Sequence, residues 1–337
     1  MQRCILSSKI PVEFEVHTVA GKIVFVLQLT DESRARIEAA APGWEIVHGK
    51  DSSLWLSHLK TAEIIGGWSR KVEAQCLGTE ATPLRWIHNW GAGVDRMPLQ
   101  EFRRRDIILT NASGVHAFPI SETVWAMLLA WTRKLHTYIR NQSRHTWSHN
   151  DLSLELHGSR LGILGVGAIG AEIARLGKAF GMQTYGLRRS GQPAPWIDAM
   201  YGREGLNELL AQCDYVVNAL PLTDDTRQLM GKEQFSCMRE NSFYVNIGRG
   251  GTTDEAALIA ALEDGRIAGA GLDVFETEPL PADNPLWRMD NVIVTPHSSG
   301  TTGRYDERVI DIFVENLSAY LDGKEPGVNR VDLDRQY

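Results

Sequence analysis

Residues 160–170 read Arg-Leu-Gly-Ile-Leu-Gly-Val-Gly-Ala-Ile-Gly, an apolar run that ends in G-x-G-x-x-G. Few folds accept an apolar strand that runs straight into three spaced glycines and on into a helix-forming stretch. The pattern asks for a strand, a tight turn and a helix whose N-terminus faces a ligand. Gly165 permits the turn, Gly167 lets the backbone approach a pyrophosphate, and Gly170 lets the helix pack closely on its strand. Ala168 and Ile169 lie between the last two glycines, at the positive end of the helix, where free N–H groups receive an anion. The bare motif also occurs in structural turns, so its surroundings decide its weight.

Those surroundings are α/β. Strand-like runs lie at Leu161–Leu164, Gln183–Leu187, Tyr215–Ala219, Phe243–Ile247, Gly269–Val274 and Val292–Val294, with helix-like segments Gly170–Phe180, Leu206–Gln212 and Thr253–Glu263 between them. Six strands with helical crossovers predict a doubly wound sheet of the dinucleotide-binding type. A second, smaller α/β sheet is expected earlier, from the apolar runs Ile23–Leu29, Glu45–Val47, Glu63–Ile65, Leu84–His88 and Ile107–Leu109. Between them Asp31 can cap a helix over residues 31–40, with Glu32 in its first turn. The stretch Pro119–Tyr138 carries apolar side chains on nearly every face, so this helix must be buried inside the protein or between subunits. A last helix, Thr301–Leu321, follows the second sheet and can return to the first. We therefore expect a discontinuous domain of residues 1–112 and 302–337 around an inserted dinucleotide domain of residues 113–301.

A length of 337 residues suits two domains. The net charge of −7 supplies no basic field for nucleic acid or anionic lipid. Cys4, Cys76, Cys213 and Cys237 form no C-x-x-C pair, and reduced thiols in a cytoplasmic protein are expected. Glu13, Glu15 and His17 interrupt any secretory signal, and the longest apolar run, Val124–Trp131, is far short of the ~20 residues that span a bilayer. Neither nucleic acid nor membrane is expected as a partner, and no metal site is evident.

Which dinucleotide binds is set at the end of the next strand. An acid there receives the ribose 2′-hydroxyl of NAD, whereas arginine accommodates the 2′-phosphate of NADP. The strand Met182–Leu187 is followed by Arg188, Arg189 and Ser190, with no acid. Two guanidinium forks and a hydroxyl suit a phosphate, which makes NADP the preferred cofactor, with NAD the alternative. A solvated arginine pair on a surface loop is the competing reading.

Three further segments place polar groups beyond strand ends, where ligands of such sheets lie: Val245–Gly251, Leu272–Pro281 and Val294–Gly300. Here the chain resembles the D-isomer-specific 2-hydroxyacid dehydrogenase family. The GVGAIG turn, Leu220-Pro-Leu-Thr223, NIGRGG, DVFETEPLP and TPHSSG carry the resemblance, along with Asn89-Trp-Gly-Ala-Gly-Val-Asp95 and Thr110-Asn-Ala-Ser-Gly-Val-His116 in the first half. It extends from about residue 23 to 322; residues 1–20 precede it and can add an extra strand.

The resemblance implies a nucleotide domain inserted into a discontinuous substrate domain, with the active site in the cleft. Arg249 matches the arginine that pairs with the substrate carboxylate, His297 the general acid/base, and Glu278 the carboxylate that hydrogen-bonds the histidine. The chemistry agrees. Reduction of a 2-keto acid needs a proton near neutral pH, which imidazole supplies, and a carboxylate grip, which a guanidinium fork supplies. Asp273 matches an aspartate near the nicotinamide carboxamide, with capping of the following turn as its alternative role. Leu220, Pro221, Thr223 and Thr226 follow one cofactor strand end, and Asn246, Ile247 and Gly248 another.

Ala92 and Gly93 match the backbone amides that hold the substrate carboxylate. The loop Gly66-Gly-Trp-Ser-Arg70 forms the other wall, with Trp68 and Ser69 toward the substrate. Trp68 is equally readable as a packing residue. The family uses the 117–140 helix region, here with Glu122, Trp125 and Trp131, for dimer contacts, so a homodimer is expected. The expected activity is NAD(P)H-dependent reduction of glyoxylate, hydroxypyruvate or a bulkier 2-keto acid to the D-2-hydroxy acid. A dinucleotide-sensing, co-repressor-like binding protein is the alternative from another class. Formate-oxidising relatives carry glutamine where Glu278 stands, and long phosphoglycerate dehydrogenases carry a regulatory domain for which no room is expected before Tyr337.

Overall fold

The computed structural model describes residues 20–78, 82–149 and 154–336. The extra strand expected before residue 20 lies outside them. Two parallel sheets organise the rest. The first contains β1 (Lys22–Phe25), β2 (Glu45–Val47), β3 (Ile64–Gly66), β4 (Trp86–Asn89) and β5 (Ile108–Asn111), in the order β2-β1-β3-β4-β5. Helices α1 (Asp31–Ala40), α2 (Arg70–Cys76) and α3 (Leu99–Arg104) connect its strands. β1 stops at Phe25, short of the expected Leu29. Thr30, not Asp31, caps α1: its hydroxyl accepts from Ser33 N at 3.1 Å, and Asp31 and Glu32 fill the first turn, where the helix dipole favours acids.

The long apolar stretch is two helices, α4 (Ala117–Thr132) and α5 (Leu135–Ser143), because Lys134 adopts a left-handed φ of 55° between them. Much of its apolar surface is used within the subunit. Trp125 stacks on Phe180 at 4.6 Å between ring centres, and Trp131 on Phe243 at 4.7 Å. Neither tryptophan is therefore available to a second subunit. Phe118, Leu129, Leu135 and Ile139 are the large apolar side chains that these helices leave exposed.

The second sheet contains β6 (Arg160–Leu164), β7 (Gln183–Leu187), β8 (Ala199–Tyr201), β9 (Tyr215–Asn218), β10 (Phe243–Asn246), β11 (Gly269–Leu272) and β12 (Val292–Val294). Between and around them run α6 (Ala168–Ala179), α7 (Leu206–Gln212), α8 (Lys232–Cys237) and α9 (Glu255–Glu263). The strand order is β12-β11-β10-β9-β6-β7-β8. There are seven strands where six were expected; the added one is β8, a three-residue edge strand. The chain leaves β6 toward β7 and later returns to β6's other side as β9, so the topological switch point lies between β6 and β9. The inner strands β9, β10 and β11 are buried throughout, as a sheet covered by helices on both faces requires.

The last helix, α10 (Tyr305–Leu321), lies on the first sheet. Ile310, Phe313 and Leu317 bury themselves among Ile23, Phe25 and Trp86, and Phe313 stacks flat on Trp86 at 5.1 Å. Burying three such side chains contributes roughly 1.5–3 kcal/mol each. No helix among the described residues is long and apolar enough to cross a membrane.

Candidate active site

The glycine turn stands at the switch point. Gly165 has φ +96°, and a side chain there would meet the Ala219 carbonyl oxygen at 2.9 Å, so neither the conformation nor the space admits another residue. Gly167 caps α6, and a Cβ built on it meets nothing within 4 Å. The backbone thus faces open space at the N-terminus of a twelve-residue helix that opens with Ala168 and Ile169 and buries Gly170 against its strand. A pyrophosphate fits this cradle.

Beyond β7, the Arg188 side chain is half-buried. Its Nη2 donates to the Pro193 carbonyl at 3.1 Å, while its buried Nε has no partner among the described residues. Arg189 is exposed and paired with Asp225 at 2.5 Å, and the Ser190 hydroxyl accepts from Gln192 N at 3.4 Å. Beyond β9, Thr226 spends its hydroxyl inside its own loop. It donates to the Pro221 carbonyl at 2.6 Å and accepts from Thr223 N at 2.8 Å, so it shapes the loop of Leu220, Pro221 and Thr223. Beyond β10, Asn246 accepts from Gly248 N at 3.1 Å next to the buried Ile247, and a Cβ on Gly248 would strike the Leu220 carbonyl at 2.5 Å. The ends of β9 and β10 are therefore in close contact beside the turn.

Arg249 leaves the end of β10 and reaches the first sheet. Its Nη1 donates to the Gly248 carbonyl at 2.8 Å and its Nε lies 3.4 Å from Asp95 Oδ1. A Cβ on Gly93 would come within 2.0 Å of Arg249 Nη2, so only glycine allows the guanidinium to lie over this loop. Asn89 donates to the Gly91 and Gly93 carbonyls, each at 2.9 Å, and Asn111 to the Ala92 carbonyl at 2.8 Å. These bonds engage the carbonyls of residues 91–93 and fix the loop beneath the guanidinium.

His297 sits at φ +50° in the turn after β12. Asp273, fully buried, builds that turn: it accepts from Thr295 Oγ1 at 2.5 Å, Ser298 N at 3.0 Å and Ser299 N at 3.1 Å, while its carbonyl accepts from His297 N at 2.9 Å. These three hydrogen bonds hold the turn that carries the imidazole. His297 Nδ1 lies 2.7 Å from Glu278 Oε2, and Glu278 Oε1 accepts from Phe275 N at 3.0 Å. Burial pushes the Glu278 carboxyl upward, but the bonds from His297 and Phe275 outweigh it and hold the group below the usual carboxylate range. Both side chains keep solvent access, His297 more than Glu278.

In the loop after β3, Trp68 is partly exposed and packs edge-on against Phe102 at 5.1 Å. The neighbouring Ser69 hydroxyl is buried and unpartnered among the described residues. A cleft of about 710 Å³ runs from Asp95 between residues 97–104 and residues 222–227.

Two site residues went unread in the sequence. Asp95 closes the quoted NWGAGVD run, but nothing local shows that it reaches Arg249, 154 positions away. His116, the residue before α4, meets the Gly300 carbonyl at 2.9 Å through Nδ1 and stacks on Tyr305 at 4.9 Å. Burial pushes its pKa down against the Gly300 bond, and the nearby Arg249 and Arg308 add to the fall.

A doubly wound parallel sheet that offers a pyrophosphate cradle at its switch point, with an imidazole–carboxylate pair and a guanidinium nearby, defines a dinucleotide-dependent oxidoreductase. The model of the D-isomer specific 2-hydroxyacid dehydrogenase NAD-binding domain matches residues 125–299. The chain is 33% identical over 312 residues to glyoxylate/hydroxypyruvate reductase B of Erwinia tasmaniensis, covering 90% of this chain and 96% of that one. It is 32% identical over 285 residues to D-3-phosphoglycerate dehydrogenase of Methanocaldococcus jannaschii, covering 83% of this chain but only 54% of that longer relative. A solved D-isomer specific 2-hydroxyacid dehydrogenase from Xanthobacter autotrophicus, in complex with NADPH and MES, superposes with a TM-score of 0.80 at 31% identity, over 94% of this chain and 99% of that one. The chain belongs to the D-isomer-specific 2-hydroxyacid dehydrogenase family. It is an NAD(P)-dependent α/β enzyme acting on 2-hydroxy or 2-keto acids, as the motifs implied.

Proposed function

We propose that the protein reduces a small 2-keto acid to the D-2-hydroxy acid with NADPH as the preferred reductant. The reading is carried by two paired groups: His297 on Glu278, and Arg249 held by Asp95 over the 91–93 loop. Arg249 and the Ala92 and Gly93 amides grip the substrate carboxylate, since a fork of N–H donors matches two carboxylate oxygens. Glu278 accepts from Nδ1 and keeps the imidazole aimed, so that Nε2 delivers a proton to the carbonyl oxygen. Gly165, Gly167, Ala168, Ile169, Gly170, Leu220, Pro221, Ile247 and Gly248 line the dinucleotide, and Arg188, Arg189 and Ser190 take its 2′-phosphate. When bound, the reduced nicotinamide supplies the hydride.

Glyoxylate and hydroxypyruvate are the first substrates to test, followed by bulkier 2-keto acids. We read residues 1–112 and 302–337 as the substrate domain, residues 113–301 as the dinucleotide domain, and the enzyme as a cytoplasmic homodimer joined across the 117–140 region, where Phe118, Leu129, Leu135 and Ile139 are exposed. Oxidation of NADPH and of NADH, followed over a panel of 2-keto acids, tests the reading. Turnover with NADPH favoured is expected. Binding of NADPH without turnover on any acid in the panel overturns the activity, and NADH used at least as well overturns the cofactor choice.

A further inference from the structure

Arg189 and a third arginine, Arg203, converge on one carboxylate. Asp225 Oδ2 meets Arg189 Nη2 at 2.5 Å and Oδ1 meets Arg203 Nη1 at 3.0 Å, while Arg203 Nη2 also reaches the Asp225 carbonyl at 3.3 Å. The three residues come from separate places: Arg189 from the end of β7, Arg203 from the turn after the edge strand β8, and Asp225 from the loop after β9. β8 pairs with β7, and Arg188 N bonds the Tyr201 carbonyl at 3.1 Å, which places Arg203 beside the Arg188–Ser190 turn.

We propose that Arg203 is part of the 2′-phosphate site and that Asp225 is a built-in stand-in for that phosphate, competing with it for Arg189 and Arg203 and so setting how strongly NADP is preferred over NAD. The inference rests on reading Arg188, Arg189 and Ser190 as the 2′-phosphate end of the cofactor site.

The chemistry matches on each side. A phosphate monoester offers three oxygens and nearly two negative charges, and it suits several guanidinium forks at once. Asp225 offers two oxygens and one charge, and gives one oxygen to each arginine. All three side chains stand about half exposed, and exposed pairs of this kind bind weakly enough to exchange partners. The bonds from Arg189 and Arg203 hold Asp225 below the usual carboxylate range, so near neutral pH it competes as an anion. A cofactor without a 2′-phosphate leaves the ion pairs in place and gains nothing from breaking them.

The test is titration of the intact protein with NADP⁺ and with NAD⁺ by calorimetry, and with 2′,5′-ADP against 5′-AMP, in the wild type, Asp225→Asn and Arg203→Gln. Removing a unit charge roughly 8 Å from a doubly charged phosphate in water changes affinity about fivefold. Asp225→Asn should therefore tighten NADP⁺ and 2′,5′-ADP about fivefold, and Arg203→Gln should weaken them by a similar factor. NAD⁺ and 5′-AMP should move less than about twofold in both variants. If the wild type prefers the 2′-phosphate and the variants leave that preference unchanged, the role of Asp225 and Arg203 is overturned and the cofactor reading stands. If both cofactors weaken together in Asp225→Asn, the residue only holds its loop and the proposal fails. If neither the wild type nor any variant distinguishes the ligands, both readings fall.

Discussion

Carboxylates play opposite parts at the two ends of this cleft. At the proposed substrate end, Glu278 pairs with His297 at 2.7 Å and Asp95 with Arg249 at 3.4 Å. At the adenosine end, Asp225 holds two arginines in pairs that a phosphate would have to take over. The supporting shells differ accordingly. The His297 turn rests on a fully buried Asp273 and the Glu278 carboxylate on a backbone N–H from Phe275, whereas Arg189, Arg203 and Asp225 stand in solvent. A site that must present a proton donor at a fixed point is braced from beneath, and a site that selects between two cofactors is left exchangeable.

Removing a group from the braced end should cost most. His297→Gln should lower kcat for keto-acid reduction by about 10²–10⁴, the range for loss of a general acid, with dinucleotide affinity unchanged by titration. A kcat within a few-fold of wild type would put the proton source elsewhere. Arg249→Ala should lower kcat/KM on the order of 10², mainly through KM, since the carboxylate loses its bidentate partner. Asp95→Asn should reproduce about a tenth of that loss, because it frees Arg249 without removing it; an effect equal to that of Arg249→Ala would make Asp95 a substrate contact in its own right.

Glu278→Gln sharpens the same end through pH. The Glu278 carboxyl is held below its ordinary range, so its contribution is present above that range and fades only as pH falls through the depressed value. The substitution removes the carboxylate that orients the imidazole. For reduction, kcat near neutrality should fall about tenfold, and the acid-side loss of rate that follows Glu278 protonation should disappear from the pH–rate profile. An unchanged profile removes Glu278 from this role. The smallest effect is expected at the surface: Leu135→Glu with Ile139→Glu should shift sedimentation toward monomer while leaving the fold intact, and an unaltered dimer would place the interface away from α5.

The features legible in the sequence are those carried by neighbouring residues. The glycine turn, the strand ends that follow it and the segments holding Arg249, Glu278 and His297 are each local, and every strand of the second sheet but one was readable from its apolar run. β8 was missed because no helix separates the short run Ala199–Tyr201 from β7, so it lacks the strand–helix alternation that marked the others. The break at Lys134 was missed because a left-handed residue other than glycine leaves no mark in the pattern, and Thr30 was passed over for Asp31 because both are competent caps. The pairings that distinguish the two ends were not readable at all. Arg249 with Asp95 and Arg189 with Asp225 join residues 154 and 36 positions apart, through the placement of loops from different strands. The burial of Trp125 and Trp131 within the subunit was unreadable for a related reason: an apolar helix reads the same whether its own subunit or another covers it.

The central claim is that His297, held by Glu278, delivers the proton during reduction of a 2-keto acid. The most direct test is NADPH oxidation with glyoxylate and with hydroxypyruvate, measured for the wild type and His297→Gln under the same conditions, with the configuration of the glycerate formed from hydroxypyruvate determined. The account predicts wild-type turnover to the D-isomer, and a variant that binds NADPH normally yet turns over at least about a hundredfold more slowly. A wild-type protein that binds NADPH and reduces neither acid, or a His297→Gln variant that keeps its rate, would contradict it.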